Sequence, residues 1–547
     1  MISWFPETRS RAILLTLAAL IFSLPYERIV FSTGPFSFSD IELFCALFFV
    51  AFGFFGRFEK QLLFLKLSVA AFCFIVALFL SALIQTAYRD NALKFSLRML
   101  AGIVLAWLVA SLVRRESHWR LVLLTLFSGS GGLAAILGLI EWGIPRQLDR
   151  WYWIWGTQPH WIGGLKRLTG TFEYPNIAAS FFLFALAASI SLGLSGRKFH
   201  RAVAFLVLVA LVLTYSRGAL IAALASLVAV AALNRHSRSA RREMIVWVAV
   251  LAALSVSVLW ITPRLVHRVT SEGDSAWLKA GYQILSLPKS LAPDRTYFVP
   301  LRLTNEGTTA WEQTLPFRLS YHWYDGATLQ MVVRDGLRTP LPVTVSPGQS
   351  TIVNVAVKTP GRPGDFLLAF DMVLERFAWF SERGAAPALI RCQIGSAEAA
   401  SIPFKPGVKI SDIVDRGFTV TSRLDLWRAA WKLFERNKWV GVGPDNFRFQ
   451  YEKALGRPTH FTTIFANNLF LEVLADAGLI GFGALAIFFY LLLRKLLDAG
   501  PGEQIALLAF LVHGLVDYFL EFSPIYISFW IFIGIVAAIP EKDAHRH

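Results

Sequence analysis

Apolar residues in this chain gather into long runs rather than the three-and-four spacing of half-buried helices. Runs long enough to cross about 30 Å of hydrocarbon lie near 12–30, 38–56, 62–86, 94–113, 119–142, 174–194, 200–214, 217–233, 244–261, 467–493, 504–521 and 524–539. They predict about twelve transmembrane helices. The first run ends in Pro25-Tyr26-Glu27-Arg28 with no small-residue cleavage site, so it reads as a retained anchor. Ser216-Arg217 divides two short runs whose combined length is too great for one crossing.

Between these blocks the texture changes. From Tyr282 to about Ile394, stretches such as Phe298–Leu303 and Thr351–Val357 alternate at period two, and Asn305-Glu306-Gly307, Ser346-Pro347-Gly348 and Pro363-Gly364-Asp365 mark turns. About seven short strands at this spacing suggest an immunoglobulin-like β-sandwich. Trp311, Trp323, Trp379 and Phe380 read either as core or rim aromatics or as a platform that stacks on sugar rings. Farther on, Leu424, Trp427, Trp431 and Phe434 recur at helical spacing after Ser422 and Asp425, a capping pair, and Gly441-Val442-Gly443-Pro444 ends the pattern. That helix is expected on the outer membrane surface with its tryptophans at headgroup level.

The fold class predicted is therefore membrane all-α, about 12 transmembrane helices, with a large extracytoplasmic segment containing an inserted β-sandwich. Its parts are a membrane domain at 1–261 with nine spans, a linker at 262–281, the sandwich at 282–394, an extracytoplasmic helical loop at 395–466, and a membrane part at 467–547 with three spans.

Composition agrees with a membrane chain. Of 547 residues, 55% are hydrophobic and only 16% charged, and the mean hydropathy is +0.53; soluble domains run nearer a quarter charged. Disorder, collagen and nucleic-acid-binding tails are excluded. The net charge of +16 is what Lys and Arg retained in cytoplasmic loops produce. With the N-terminus inside, those loops hold Arg57, Lys60, Arg114, Arg115, Arg197, Lys198, Arg235, Arg238, Arg241, Arg242, Arg494 and Lys495, and the opposite loops hold fewer. Both termini are thus expected in the cytoplasm, with 262–466 outside. Three cysteines, one of them in the polar middle, offer no disulfide framework there.

Three features sit where spans are expected to begin on the outer face: Arg167 to Asn176, Thr214 to Ala219, and Ala466 to Glu472. A helix start carries free N–H groups and about half a positive charge, which attracts anions. Arg167, Arg217 and Arg423, with Ser216, Asn468 and Asn176, are the candidate grip on a pyrophosphate, since a guanidinium donates two parallel bonds to phosphate oxygens. Ser and Asn at helix starts also serve as ordinary caps, and Arg167 and Arg217 also read as cations reaching lipid headgroups. His513, Asp517 and Glu521 are spaced to share one face of the eleventh span. No Asp-x-Asp pair or Walker-type loop occurs, so no metal and no cofactor is expected.

Ser216-Arg217-Gly218-Ala219, Gly170-Thr171-Phe172 with Pro175-Asn176, Arg423 with Trp427, Gly441-Val442-Gly443-Pro444, Asn468-Leu469-Phe470-Leu471-Glu472 and Gly478-Leu479-Ile480-Gly481 together resemble the O-antigen ligase and O-antigen polymerase superfamily. The resemblance implies a bacterial inner-membrane glycosyltransferase with a periplasmic site. Its donor would be a glycan on undecaprenyl pyrophosphate and its acceptor another glycan or a lipid, with membrane lipids around it and no nucleic acid. It also implies that Arg217 and Arg423 handle the pyrophosphate. The ligase pattern has a histidine just before the Asn-Leu-aromatic-Leu run as base on the acceptor hydroxyl; Asn467 stands there, and an amide takes no proton at neutral pH. His460 and Glu472 are the alternative bases, so His460, Glu472 and Asn467 are the candidate catalytic positions. Leu319–Trp323 and Trp379–Gly384 resemble accessory sandwich modules of bacterial glycan-assembly proteins, which implies binding or spacing, and the acceptor is one ligand it would recognise. The rival reading is a transporter, or a binder of lipid-linked glycan that does no chemistry.

Overall fold

The computed structural model describes every residue except 1–7, 34–35, 86, 145–159, 163–164, 262–277, 288–290, 309, 314–316, 375–377, 382–384, 396–422, 457–463 and 541–547. The chain opens with helix α1 (Thr8–Ser23), a hairpin of β1 (Ile29–Thr33) and β2 (Phe36–Ser39), and α2 (Asp40–Phe55). Ser39 and Glu42 cap α2 reciprocally, each side chain serving the other's backbone N–H. Then come α3 (Lys66–Ile84), α4 (Arg89–Arg115), α5 (His118–Gly143), the short strands β3 (His160–Ile162) and β4 (Leu165–Arg167), α6 (Pro175–Leu194), α7 (Phe199–Leu213), α8 (Arg217–Leu233) and α9 (Arg238–Ile261). Among the described residues nine strands follow: β5 (Ala280–Ile284), β6 (Thr296–Asn305), β7 (Phe317–Asp325), β8 (Met331–Val333), β9 (Thr339–Pro340), β10 (Ser350–Lys358), β11 (Gly364–Leu374), β12 (Ala378–Trp379) and β13 (Ala388–Ile394). Helices α10 (Arg423–Arg436), α11 (Phe447–Ala454), α12 (Leu469–Leu496), α13 (Pro501–His513) and α14 (Ser523–Ala537) complete it.

The expectation of about twelve spans is corrected. Among the described residues, six helices are long and apolar enough to cross a membrane: α3, α4, α5, α6, α9 and α12. The chain is mostly helical and multi-pass, but an apolar run is not a helix length. Residues 504–521 read as one run, yet α13 stops at His513 and the chain turns through Gly514–Phe522. At 1.5 Å per residue such a helix reaches only about 20 Å. The turn at Thr214–Ser216 likewise leaves α7 and α8 at 15 and 17 residues, and α14 has 15. His513, Asp517 and Glu521 accordingly share no helix face, because the last two lie in the turn.

Two compact units emerge, one of residues 1–160, 166–258 and 423–547 and the other of 161–165 and 259–422. In the first, α6 is the central post, buried over 94% of its most apolar window and packed by α5, α7, α13 and α14. Small residues on it allow close approach, the packing that works where lipid supplies no hydrophobic drive between helices. At the other extreme α9 buries only 17% of its window and turns Ile245, Val246 and Val256 outward. Water would not tolerate that surface, whereas lipid does.

In the second unit, a three-stranded sheet (β10–β6–β5) and a six-stranded sheet surround one apolar core. In the larger sheet β12–β11–β7–β8 form the path, β13 pairs β11 and β9 pairs β7, all antiparallel. Trp311, Trp323, Trp379 and Phe380 are all buried. Trp311, Trp323 and Phe380 belong to that core, Trp379 packs instead against His322 and Arg338, and none of the four offers an open face for a sugar ring.

Candidate functional site

The loop before α6 is held from below. Glu141, fully buried near the end of α5, pairs with Lys166 at 2.8 Å and accepts the backbone N–H groups of Thr169 and Gly170 at 3.3 Å. A buried carboxylate needs such compensation. This anchoring presents Arg167 to α6. Its Nε donates to the Thr214 carbonyl at 2.7 Å, and its Nη2 donates to Asn176 Oδ1 at 2.9 Å. Asn176 passes the connection on, donating from Nδ2 to Asp517 Oδ2 at 2.9 Å.

Asp517 sits in the turn after α13, and that turn is where the predicted residues gather. Arg423, first residue of α10, lies within electrostatic reach of Asp517 and His513. His513 Nδ1 meets Ser180 Oγ at 3.1 Å. Arg217 begins α8, with Ser216 just before it and past Tyr215, whose φ of +52° bends the chain there. Gly218, next along, faces His513 and Val516 so closely that a Cβ would meet them at 2.9 and 2.8 Å. Arg217, half-buried, thus stands beside the turn that carries Asp517.

Asn468 has a local task. Its Oδ1 accepts the N–H groups of Phe470 and Leu471, capping α12, and its Nδ2 donates to the Leu515 carbonyl at 2.8 Å. With Leu469 N–H donating to the Gly514 carbonyl at 2.7 Å, it ties the start of α12 to the same turn. Asn467 is left-handed at φ +50°, turning the chain into the cap. Glu472 is buried and one of its oxygens accepts the Ala466 N–H. His460 lies outside the described residues.

Sequence reasoning missed a second polar layer. Asp476, one turn beyond Glu472 on α12, accepts the N–H groups of Asp445 at 2.7 Å and Phe447 at 2.9 Å. It clamps the loop that opens with Gly441-Val442-Gly443-Pro444, which continues as Asp445-Asn446. Asp445 in turn receives Arg448 at 2.6 Å and Asn91 at 3.0 Å. The spacing of Glu472 and Asp476 at i and i+4 on an apolar helix was the available signal. His160 is another omission: it meets the Glu173 carbonyl at 2.9 Å, and burial first, then Arg167, lowers its pKa. Among the described residues no group of His, Cys, Asp and Glu is arranged to hold a metal ion.

A family model described as O-antigen ligase matches residues 372–486. The chain resembles an O-antigen ligase over that stretch. The match takes in Arg423, Asp445, Asn467, Glu472, Asp476 and Gly478, and leaves out Arg167, Asn176 and Arg217. No curated protein matches the chain. With the multi-pass helices, the matched segment supports a membrane protein that handles glycan.

Proposed function

We propose that this chain is a metal-independent glycosyltransferase of the bacterial inner membrane that transfers or polymerises a glycan carried on undecaprenyl pyrophosphate, on the periplasmic face. The observation that carries the reading is the convergence on the Gly514–Phe522 turn of Arg167, through Asn176–Asp517 at 2.9 Å, and of Arg423, whose charge reaches Asp517, with Arg217 preceding Gly218, which packs on Val516 and His513. The likeness of residues 372–486 to O-antigen ligase supports it from a separate direction.

In this reading an acceptor hydroxyl attacks the anomeric carbon, the anomeric C–O bond to phosphate breaks, and undecaprenyl pyrophosphate leaves with the electron pair. Arg217 and Arg423 stabilise the charge that grows on the leaving oxygens, where fixed donors in a site of low dielectric act most strongly. Arg167 holds the start of α6 in place beside them. The donor arrives already activated, so the chemistry asks for no nucleotide.

The test is purified protein in liposomes containing a synthetic undecaprenyl-pyrophosphate-linked oligosaccharide, with release of undecaprenyl pyrophosphate as readout. Wild-type protein releases it, and Arg217→Ala and Arg423→Ala each slow release by at least about 100-fold, the scale of losing one transition-state donor. Full activity in both variants defeats the assignment. Movement of intact lipid-linked oligosaccharide across the bilayer without bond formation supports the transporter instead, a reading that the amide at Asn467 favours.

A further inference from the structure

We propose that the cavity at the head of α4 receives the acceptor saccharide and that Asp445 takes the proton from its attacking hydroxyl. This inference rests on the transferase reading and adds to it the second substrate and its base.

An open cavity of about 530 Å³ is lined, among the described residues, by Tyr88, Arg89, Asp90 and Asn91, within the size range of small-ligand sites. One aromatic face beside a cation, a carboxylate and an amide is chemistry suited to a polyhydroxylated ring. One side of Tyr88 stacks on Phe449 at 4.6 Å, yet half of the residue remains open. Tyr88 is itself left-handed, at φ +55°.

Asn91 joins this cavity to Asp445. Its Nδ2 donates to Asp445 Oδ2 at 3.0 Å and to the Asp445 carbonyl at 3.1 Å, while its Oδ1 accepts Arg448 at 3.1 Å. Asp445 is only 2% exposed, and its other oxygen, Oδ1, has no hydrogen-bond partner among the described residues. An unsatisfied buried acceptor is destabilising, and the O–H of a bound acceptor would satisfy it. The backbone there is also strained, at φ +61°, and is held so by Asp476. Strain kept by surrounding bonds is characteristic of functional positions.

The surroundings suit a base. Burial, with Glu521 next in effect, pushes the Asp445 carboxyl up to about 7, against the opposite pull of Arg448 and Asn91. Glu472, Asp476 and Tyr518 also lie within its field. A base of that strength is half ionised near neutral pH, where proton transfer works best. Tyr518 and Glu521 belong to the turn that carries Asp517, so acceptor base and donor arginines stand beside one segment of chain. The step balances: the acceptor O–H proton goes to Asp445 Oδ1, the new glycosidic C–O bond forms, and the anomeric C–O bond breaks with its electrons on undecaprenyl pyrophosphate.

The test uses the full chain in liposomes, with undecaprenyl-pyrophosphate-linked oligosaccharide as donor and both that molecule and lipopolysaccharide core as acceptors. Wild-type kcat should rise with pH through a midpoint near 7. Asp445→Asn should lower kcat by about 10²- to 10⁴-fold, abolish the rising limb and leave donor KM unchanged; Asp445→Glu should recover part of the rate with a shifted limb. Tyr88→Ala should raise acceptor KM about tenfold. Wild-type kinetics in Asp445→Asn overturn the base, and so does an unshifted limb in Asp445→Glu if the Asn variant fails to fold. An unchanged acceptor KM in Tyr88→Ala overturns the cavity assignment. A wild-type protein that releases no undecaprenyl pyrophosphate defeats the transferase reading itself, and this proposal with it.

Discussion

Asn176 and Asp517, 341 residues apart in the chain, are joined side chain to side chain by a hydrogen bond of 2.9 Å. Asn176 has its carbonyl oxygen on Arg167 and its amide on Asp517, so one residue connects the start of α6 to the turn after α13.

That connection sets the first prediction. Asn176→Leu keeps the volume but removes both bonds, leaving an oxygen of the buried Asp517 carboxyl without its donor. Each such loss costs about 1–3 kcal/mol. The melting temperature in detergent should fall by several degrees, and transfer should weaken with it. An unchanged melting temperature would show that the bond contributes nothing.

A second prediction concerns the break in α12. Gly478 has φ +63° and ψ −163° inside that helix, and a Cβ there would meet the Trp439 carbonyl at 2.5 Å. The break lets Leu479 and Ile480 donate to the carbonyls of Lys438 and Trp439, while Val442 and Gly443 donate to those of Ala475 and Asp476. That φ, ψ pair is essentially confined to glycine, so a residue with a Cβ is strained there, and the collision with rigid backbone adds to it. Gly478→Ala should therefore abolish or sharply reduce the yield of folded protein. Gly53→Ala, in α2 with nothing within 4 Å of its Cβ, is the control, expected to be neutral or stabilising by up to about 1 kcal/mol. Equal yields of folded protein from the two would refute the account.

The third prediction is a pH profile. Asp445 binds its proton more tightly in the folded chain, at about 7 against an ordinary 3.8. Linkage then makes its contribution to stability complete below about 4 and progressively lost as pH rises through about 7. Melting measured from pH 5 to 8 should decline over this window in the wild type. Asp445→Asn, which stays neutral, should decline less and melt higher than wild type at pH 8. Parallel curves for the two proteins would show that Asp445 is not the group responsible.

The candidate residues were legible as residue types. Arg167, Asn176, Ser216, Arg217 and Asn468 were recognisable because cations and short polar side chains between apolar runs are few, and each marks a place where the chain meets a polar boundary. Their partners were less visible. Asn468 looked like a phosphate donor, but its oxygen serves the N–H groups of its own helix start, which no spacing rule separates from an anion site. Asp445 and Asp476 were hidden in a segment that read as a helix stop and an apolar span.

The distribution of apolar residues by itself determined that this chain belongs in a membrane, and that a β-rich segment interrupts it, because burial of apolar surface depends on composition and period alone. Which runs become long helices was a tertiary matter. At the Gly514–Phe522 turn and at the break at Gly478, distant backbone and side-chain groups supply hydrogen bonds that a continuous helix would have made within itself. The same condition sets the electrostatics of Asp445, whose proton affinity comes from burial first and then from Glu521, Arg448 and Asn91, residues brought together by packing and not by their order in the chain.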